Sequence, residues 1–400
     1  MFRLVFACIV LVNVALAEGA AAQTLHQAVE GAWALDPQIK ALDAGRNEFI
    51  AREGAASAFF PAPPAITLGN ATDQVIRDRH QRAMELELST PLWLPGEGTA
   101  TRQVARADLS RTDARLALAR LSVAGKVREA VFAYELAARK AGLDEHRVQD
   151  AKALEADVAR RARAGEVASF EQDLARGELF TAQAAALEQQ AQAAAARTTL
   201  LSLTGLRAPP AAFEERPVPD DADIARHPRL QAAERGIDAA RAALRLVGIA
   251  TRDSPEIGVI VTRNQDTFGT QYDTTIGLRL RVPFSNEARN APRRAAAEAK
   301  MVAAQAEYDT AEREIRLDVA NARRFLTAAE AERPLVDGRL QANRSTLTRL
   351  QGSYNAGEID LLEVLRARSA LFEAGVAQAR NRLAIGEAIA RINQALGVAP

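Results

Sequence analysis

Two stretches decide how this chain is to be read: AGEVASFEQDLARGELF at 164–180 and AGEIDLLEVLRARSALF at 356–372. They lie 192 residues apart, and 8 of their 17 paired positions are identical. Each carries a Gly in its second place, inside strongly helical sequence. Gly takes left-handed backbone geometry at little steric cost, so it is the residue expected where a helix ends and the chain turns back. The doubling extends outward from these turns. DPQIKA at 36–41 matches HPRLQA at 227–232, and PAITL at 64–68 matches PEIGV at 255–259. LELSTPL at 86–92 matches LRLRVPF at 278–284, and TGL at 204–206 matches LGV at 396–398. Such collinearity predicts two copies of one structural unit, 23–210 and 211–400.

Both units follow one plan: a helix of about thirty residues (25–58 and 224–248), an extended pair (64–92 and 255–283), a long helix and a returning helix. The long tracts are expected at 98–163 and 288–355, the returning helices at 168–203 and 360–396. Leu109, Leu116, Val123, Ala130 and Ala137 recur every seven residues, the spacing of a helix seam that packs sideways on neighbours. Pro334, opposite Gly142 of the first unit, is expected to kink or break the second long helix. Ser169 and Asp360, just past the turns, are placed to cap the returning helices.

Composition narrows the function. Aromatic residues make up only 5% of 400, and Ala is abundant, which suits thin helical layers rather than a thick core. A net charge of zero gives no electrostatic support for a nucleic-acid partner. Residues 1–22 carry Arg3, an apolar run and Ala20-Ala21-Ala22, the pattern of a removed secretory signal. Cys8, the only Cys, falls too early for a lipoprotein signal, so the exported chain has neither disulfide nor thiol chemistry. The four His residues (His26, His80, His146 and His227) are scattered without metal-ligand spacing, and no nucleophile motif or phosphate loop occurs. An enzyme is not expected, nor is a metal site or cofactor.

The extended runs alternate. In TTIGLRLRV at 274–282, Ile276, Leu278, Leu280 and Val282 share one face, and Arg279 and Arg281 the other. In AMELELS at 83–89, Met84, Leu86 and Leu88 oppose Glu85 and Glu87. Strands of about ten residues are long enough to cross a bilayer tilted. Open edges are not tolerated in lipid, and four strands do not close a barrel, so several copies would have to share one. Glu85, Glu87, Arg279 and Arg281 would then line its lumen, with Trp93 at the interface. A passive porin would need far more strands per chain. A periplasmic coiled-coil adaptor or scaffold, without a barrel, is the alternative.

The repeat, the element order, the Pro ending each second strand (Pro91, Pro283) and the Gly-centred turns together resemble the TolC-type outer-membrane efflux proteins, over the whole chain after the leader. LSTPLWLPGEGTATRQVARADL at 88–109 looks most like the heavy-metal, CzcC-like branch, from which VPFSNEARNAPRR at 282–294 departs. The resemblance implies a mainly α protomer with two β-hairpins. Three such chains would form a homotrimer with a 12-stranded barrel in outer-membrane lipid and an α-helical tunnel in the periplasm. It implies the exit duct of a tripartite system, with a periplasmic adaptor and an inner-membrane pump of RND type, passing substrates that include divalent metal cations on the branch reading. It assigns Arg161, Gly165, Glu166, Ser169, Gly357, Glu358 and Asp360 to adaptor-contacting tips. It assigns the periplasmic gate to Tyr354, Glu363, Arg366 and Glu171. Arg366 stands where the family has a second acid, at a spacing that lets it pair with Glu363.

Overall fold

A computed structural model of the chain describes residues 23–75, 81–219, 223–267 and 269–400. The leader at 1–22 and His80 lie outside the described residues. The first unit runs α1 (Leu25–Leu35), α2 (Pro37–Ala56), β1 (Ala65–Thr72), β2 (Arg82–Pro91), α3 (Glu97–Ala164) and α4 (Ser169–Thr204). The second runs through a 3-10 turn (Ile224–Arg226), α5 (Pro228–Ile249), β3 (Glu256–Gln265), β4 (Asp273–Arg281), α6 (Glu287–Asn355) and α7 (Leu361–Ala395).

The long helices correspond closely, at 68 residues for α3 and 69 for α6. At about 1.5 Å per residue each spans about 100 Å. Near the sheet α3 packs on α2 and α5, and α5 on α6; toward the turns α3 packs on α4 and α7, and α7 on α6. The helices thus form a layer one helix thick. Small residues bring the returning helices close: Ala175 and Ala182 on α4, and Ala367 and Ala374 on α7, are buried at matching seven-residue spacing. On α3, Leu116 and Val123 of the expected seam are buried.

Three expectations are corrected. The opening helix of each unit is broken, at Asp36 and at His227, both held extended before a Pro. That Pro disfavours helical geometry in the residue before it and itself suits a first helical position. Asp36 Oδ1 accepts from the Ile39 amide at 2.9 Å, and His227 Nδ1 from the Arg229 amide at 3.0 Å, so each break is also a cap. Pro334 does not break α6, which runs continuously through it and through Pro292; neighbours packed along a long helix can hold it where one backbone bond is missing. Neither Ser169 nor Asp360 caps with its side chain. Ala168 occupies the first cap, with Ser169 already inside α4, and Asp360 uses its backbone carbonyl, which accepts from the Glu363 amide at 3.2 Å.

The two units are locked together at mid-length. Buried Arg128 of α3 forms two parallel bonds to Glu215, Nε to Oε1 at 2.7 Å and Nη2 to Oε2 at 2.6 Å. It also donates to Gln394 Oε1 at 2.5 Å and to the Val398 carbonyl at 2.9 Å. Asn393 donates to Glu215 and to the Arg216 carbonyl. Around this network lies the largest apolar cluster, including Val29, Val127, Phe132, Leu200 and Phe213.

Arg128→Ala is expected to lower stability by about 3–5 kcal/mol, because it strands a buried carboxylate. Arg316→Ala, which breaks only the exposed pair with Glu312, should cost under about 1 kcal/mol. Arg128→Met with Glu215→Leu should recover much of the loss, since apolar groups of similar volume replace a buried pair without stranding a charge. Denaturant unfolding of the three variants checks the order.

Candidate functional site

Two regions carry features that packing alone does not explain: the helical tips and the sheet. At the first tip Gly165 sits at φ 76°, its amide donating to the Ala162 carbonyl, and the Glu166 amide reaches back to Arg161 at 2.9 Å. At the second tip Gly357 also sits at φ 76°, its amide donating to Tyr354, and the Glu358 amide reaches Ser353 at 2.9 Å. Both copies therefore close the helix with the same left-handed turn and the same six-residue loop of hydrogen bonds.

The tips are bound to each other by Tyr354. Its ring is only 7% exposed, among Leu154, Val158, Ala175, Leu361 and Val364. Its hydroxyl donates to Glu171 Oε2 at 2.9 Å. The Arg161 guanidinium lies 5.4 Å over its ring centre and donates to Asn355 Oδ1 at 2.8 Å. Burial, helped by the Glu171 bond and charge, raises the Tyr354 phenol to about 12. Arg161 is accordingly a half-buried link between the two tips rather than a free tip side chain. Glu166, Ser169, Glu358 and Asp360 are exposed. Glu363 and Arg366 are also exposed and pair at 2.6 Å, as the i, i+3 spacing predicts. Glu171 thus bonds Tyr354 rather than joining Glu363.

The hairpins form one antiparallel sheet in the order β1-β2-β3-β4, so the inner edges of the two units pair and β1 and β4 remain the outer strands. The register sets Ile66, Leu88, Val259 and Leu278 side by side, and likewise Leu68, Leu86, Val261 and Ile276. Toward the helices this face is apolar and open: Leu68 is 78% exposed, Ile276 75%, Leu278 81% and Leu280 66%; toward the hairpin turns the same face carries Asn70, Met84, Arg263 and Thr274 side by side. The opposite face carries Glu85, Glu87, Glu256, Arg279 and Arg281. Arg279 pairs with both Glu85 and Glu87, and Arg281 lies 3.6 Å from Glu256. Phe59, Trp93 and Phe284 follow or precede strands at the end nearest the helices, with Phe59 and Phe284 almost fully exposed. Trp93 Nε1 donates to the Ala58 carbonyl at 3.0 Å.

Sequence reasoning missed Glu256, Asn355 and the Arg128 network. No spacing pattern in the sequence marks these partners.

A sequence profile described as "Outer membrane efflux protein" matches residues 34–206 and 221–398. The chain belongs to that family. Solved channels share its fold: CusC at 16% identity, covering 94% of this chain and 92% of that one, with a TM-score of 0.77; and VceC from Vibrio cholerae, also 16% identical, covering 94% and 96%, with a TM-score of 0.76. CmeC from Campylobacter jejuni matches at 14% identity, covering 93% and 85%, with a TM-score of 0.75. No curated protein matches significantly. As an outer membrane efflux protein the chain is a transporter and not an enzyme, and its profile matches in two segments, one within each repeat.

Two outcomes follow for the efflux-protein tips. A Cβ at Gly357 or at Gly338, within α6, would meet nothing within 4 Å, so the two sites differ only in backbone geometry. Gly357→Ala should destabilise by about 1–2 kcal/mol, whereas Gly338→Ala should stabilise by about 0.5–1 kcal/mol; thermal unfolding checks both signs. A phenol raised on folding holds its proton more tightly in the folded state. The Tyr354 contribution is therefore intact below the ordinary value of 10.0 and is lost as pH climbs through about 12. Ultraviolet absorbance of the ionised phenol, with Tyr354→Phe as reference, should place its titration there and not at the ordinary value.

Proposed function

We propose that three copies of this chain form the outer-membrane exit duct of a tripartite efflux system. The observation that carries this is the sheet: a band of exposed leucine, isoleucine and valine on one face, charged side chains on the other, and two edge strands with no described neighbour. No described helix is long and apolar enough to cross a membrane. The sheet is the element suited to do so, with strands of 8 to 10 residues. β1 runs antiparallel to β4, so β4 of one copy can pair with β1 of the next. Three copies close twelve strands, with leucines and isoleucines toward lipid and Glu85, Glu87, Arg279 and Arg281 toward water. Phe59, Trp93 and Phe284 then lie at the membrane–water boundary, where aromatic residues gather.

The helical layer is open in the same sense. α4 exposes Phe170, Phe180 and Leu187, and α6 exposes Val302, Phe325 and Leu335. These flanks close a tunnel when α4 of one chain meets α6 of the next. The tips at Gly165 and Gly357 lie at the far end from the barrel. With exposed Glu166, Ser169, Glu358 and Asp360, they are the surface for a periplasmic adaptor and, through it, an inner-membrane pump of RND type. Tyr354, Glu171, Glu363 and Arg366 occupy the narrow end and form its gate. A divalent-metal cargo rests on the 88–109 resemblance alone.

Mass measurement in detergent and membrane fractionation test the assembly. A trimer in the outer membrane is expected, and a soluble monomer would overturn the proposal. Leu280→Arg should impair insertion strongly, since a guanidinium near the bilayer midplane costs about 2–4 kcal/mol per chain. Arg279→Leu, on the water-facing side, should insert at close to the wild-type level. Equal yields would place the wrong face toward lipid.

A further inference from the structure

The polar face of the sheet holds an ion-pair arrangement that the duct reading leaves unused. Arg279 of β4 does not pair within its own hairpin. Its register partner on β3 is Gly258, whose partner on β2 is Ser89. The Arg279 side chain passes over β3 to the first unit. There Nη1 donates to Glu87 Oε2 at 2.6 Å and Nη2 to Glu85 Oε1 at 2.9 Å. The passage is open because β3 presents a Gly beneath it. A Cβ on Gly258 would lie 3.0 Å from Glu87 Oε1, 3.0 Å from Ser89 Cβ and 3.1 Å from the Leu88 carbonyl. Those contacts are tighter than a side chain tolerates without displacing the carboxylate.

Glu85 and Glu87 stand two positions apart on one strand, on the same face, at a separation of about 7 Å. Alone they would present like charges to one small volume of lumen water. One guanidinium, with its planar fork, satisfies both at once, which a Lys ammonium could not do with the same geometry. Each chain therefore contributes two carboxylates and one guanidinium at this height. Removing the guanidinium doubles the net negative charge of the belt. Rings of carboxylates favour cations in narrow, low-dielectric surroundings, and rings of guanidinium favour anions.

Resting on the trimeric-barrel reading, we propose that Arg279 is the residue that sets ion selectivity in the barrel. It masks a belt of Glu85 and Glu87 carboxylates, so that cargo of either charge passes the outer-membrane segment. The belt is a charged element separate from the proposed gate at the tips, at the other end of the molecule.

The test is reversal potential of the purified, reconstituted full-length protein in planar bilayers, under a KCl gradient at low salt. Arg279→Gln should raise the cation-to-anion permeability ratio by about twofold or more. Mg²⁺ should block this variant at lower concentration than the wild type. Glu85→Gln with Glu87→Gln, leaving Arg279 unpaired, should move the reversal potential the opposite way, toward anions. If Arg279→Gln fails to assemble, this opposite shift alone decides the matter. Both shifts should vanish near 1 M salt, where screening acts within about 3 Å. Open trimeric channels whose reversal potential is unmoved by either change would overturn the inference and leave the duct reading standing. Absence of trimers and channels in the wild type would overturn the duct reading, and the inference with it.

Discussion

A sheet that ends in hydrocarbon leaves a column of unmet amide and carbonyl groups, and each one costs several kcal/mol there. In the proposed barrel, β1 and β4 of a lone chain would both end this way, because the sheet is β1-β2-β3-β4 and nothing described lies beyond either edge. Apolar side chains that suit the strands to lipid would make the same edges intolerable in a single copy. The helical layer repeats the problem in water, where α4 and α6 expose Phe and Leu side chains on its two flanks. In the proposed trimer, the rotation that pairs β4 with β1 of the next copy would also cover these flanks.

Duplication brought a second requirement: two similar units must be held in one fixed relation. The structure does this at three heights, each time with polar side chains from opposite units. Arg279 reaches Glu85 and Glu87 in the sheet. Arg128 reaches Gln394 and the Val398 carbonyl at mid-length. Tyr354 reaches Glu171, and Arg161 reaches Asn355, at the tips. Apolar seams of Ala and Leu can slide in register by a turn at little cost, whereas directional bonds cannot. These links fix register where the seams alone leave it loose. The copies have therefore diverged in chemistry while the turns at Gly165 and Gly357 kept identical geometry.

The sequence made the repeat, the hairpins, the apolar and polar faces and the glycine turns legible, because each is a local pattern or a comparison at fixed spacing. The Glu363–Arg366 pair was legible for the same reason. Asp36-Pro37 and His227-Pro228 also stood in plain view, yet helical composition on both sides concealed the break that each Pro enforces on its predecessor. Pro334 did not end its helix: α6 stays helical through it over 69 residues, so one missing backbone bond does not break it. The burial of Tyr354 and the Arg128 network were out of reach, since their partners lie 183 and 266 residues away and no periodicity encodes them.

The composition itself finds its cause in the architecture. A layer one helix thick has two wet faces and two narrow seams, so a long helix needs apolar residues only along its sides. Ala175, Ala182, Ala367 and Ala374 fill such seams, and small side chains there bring helix axes close. Aromatic residues have few places to be buried, and the few well-buried rings sit where more than two elements meet: Phe132 against Phe213 at mid-length, and Tyr354 where the tips join. Many of the exposed large apolar side chains lie on the sheet's apolar face and on α4 and α6. A chain with 5% aromatics, zero net charge and two copies of one unit suits a stave of the thin-walled tube proposed for it.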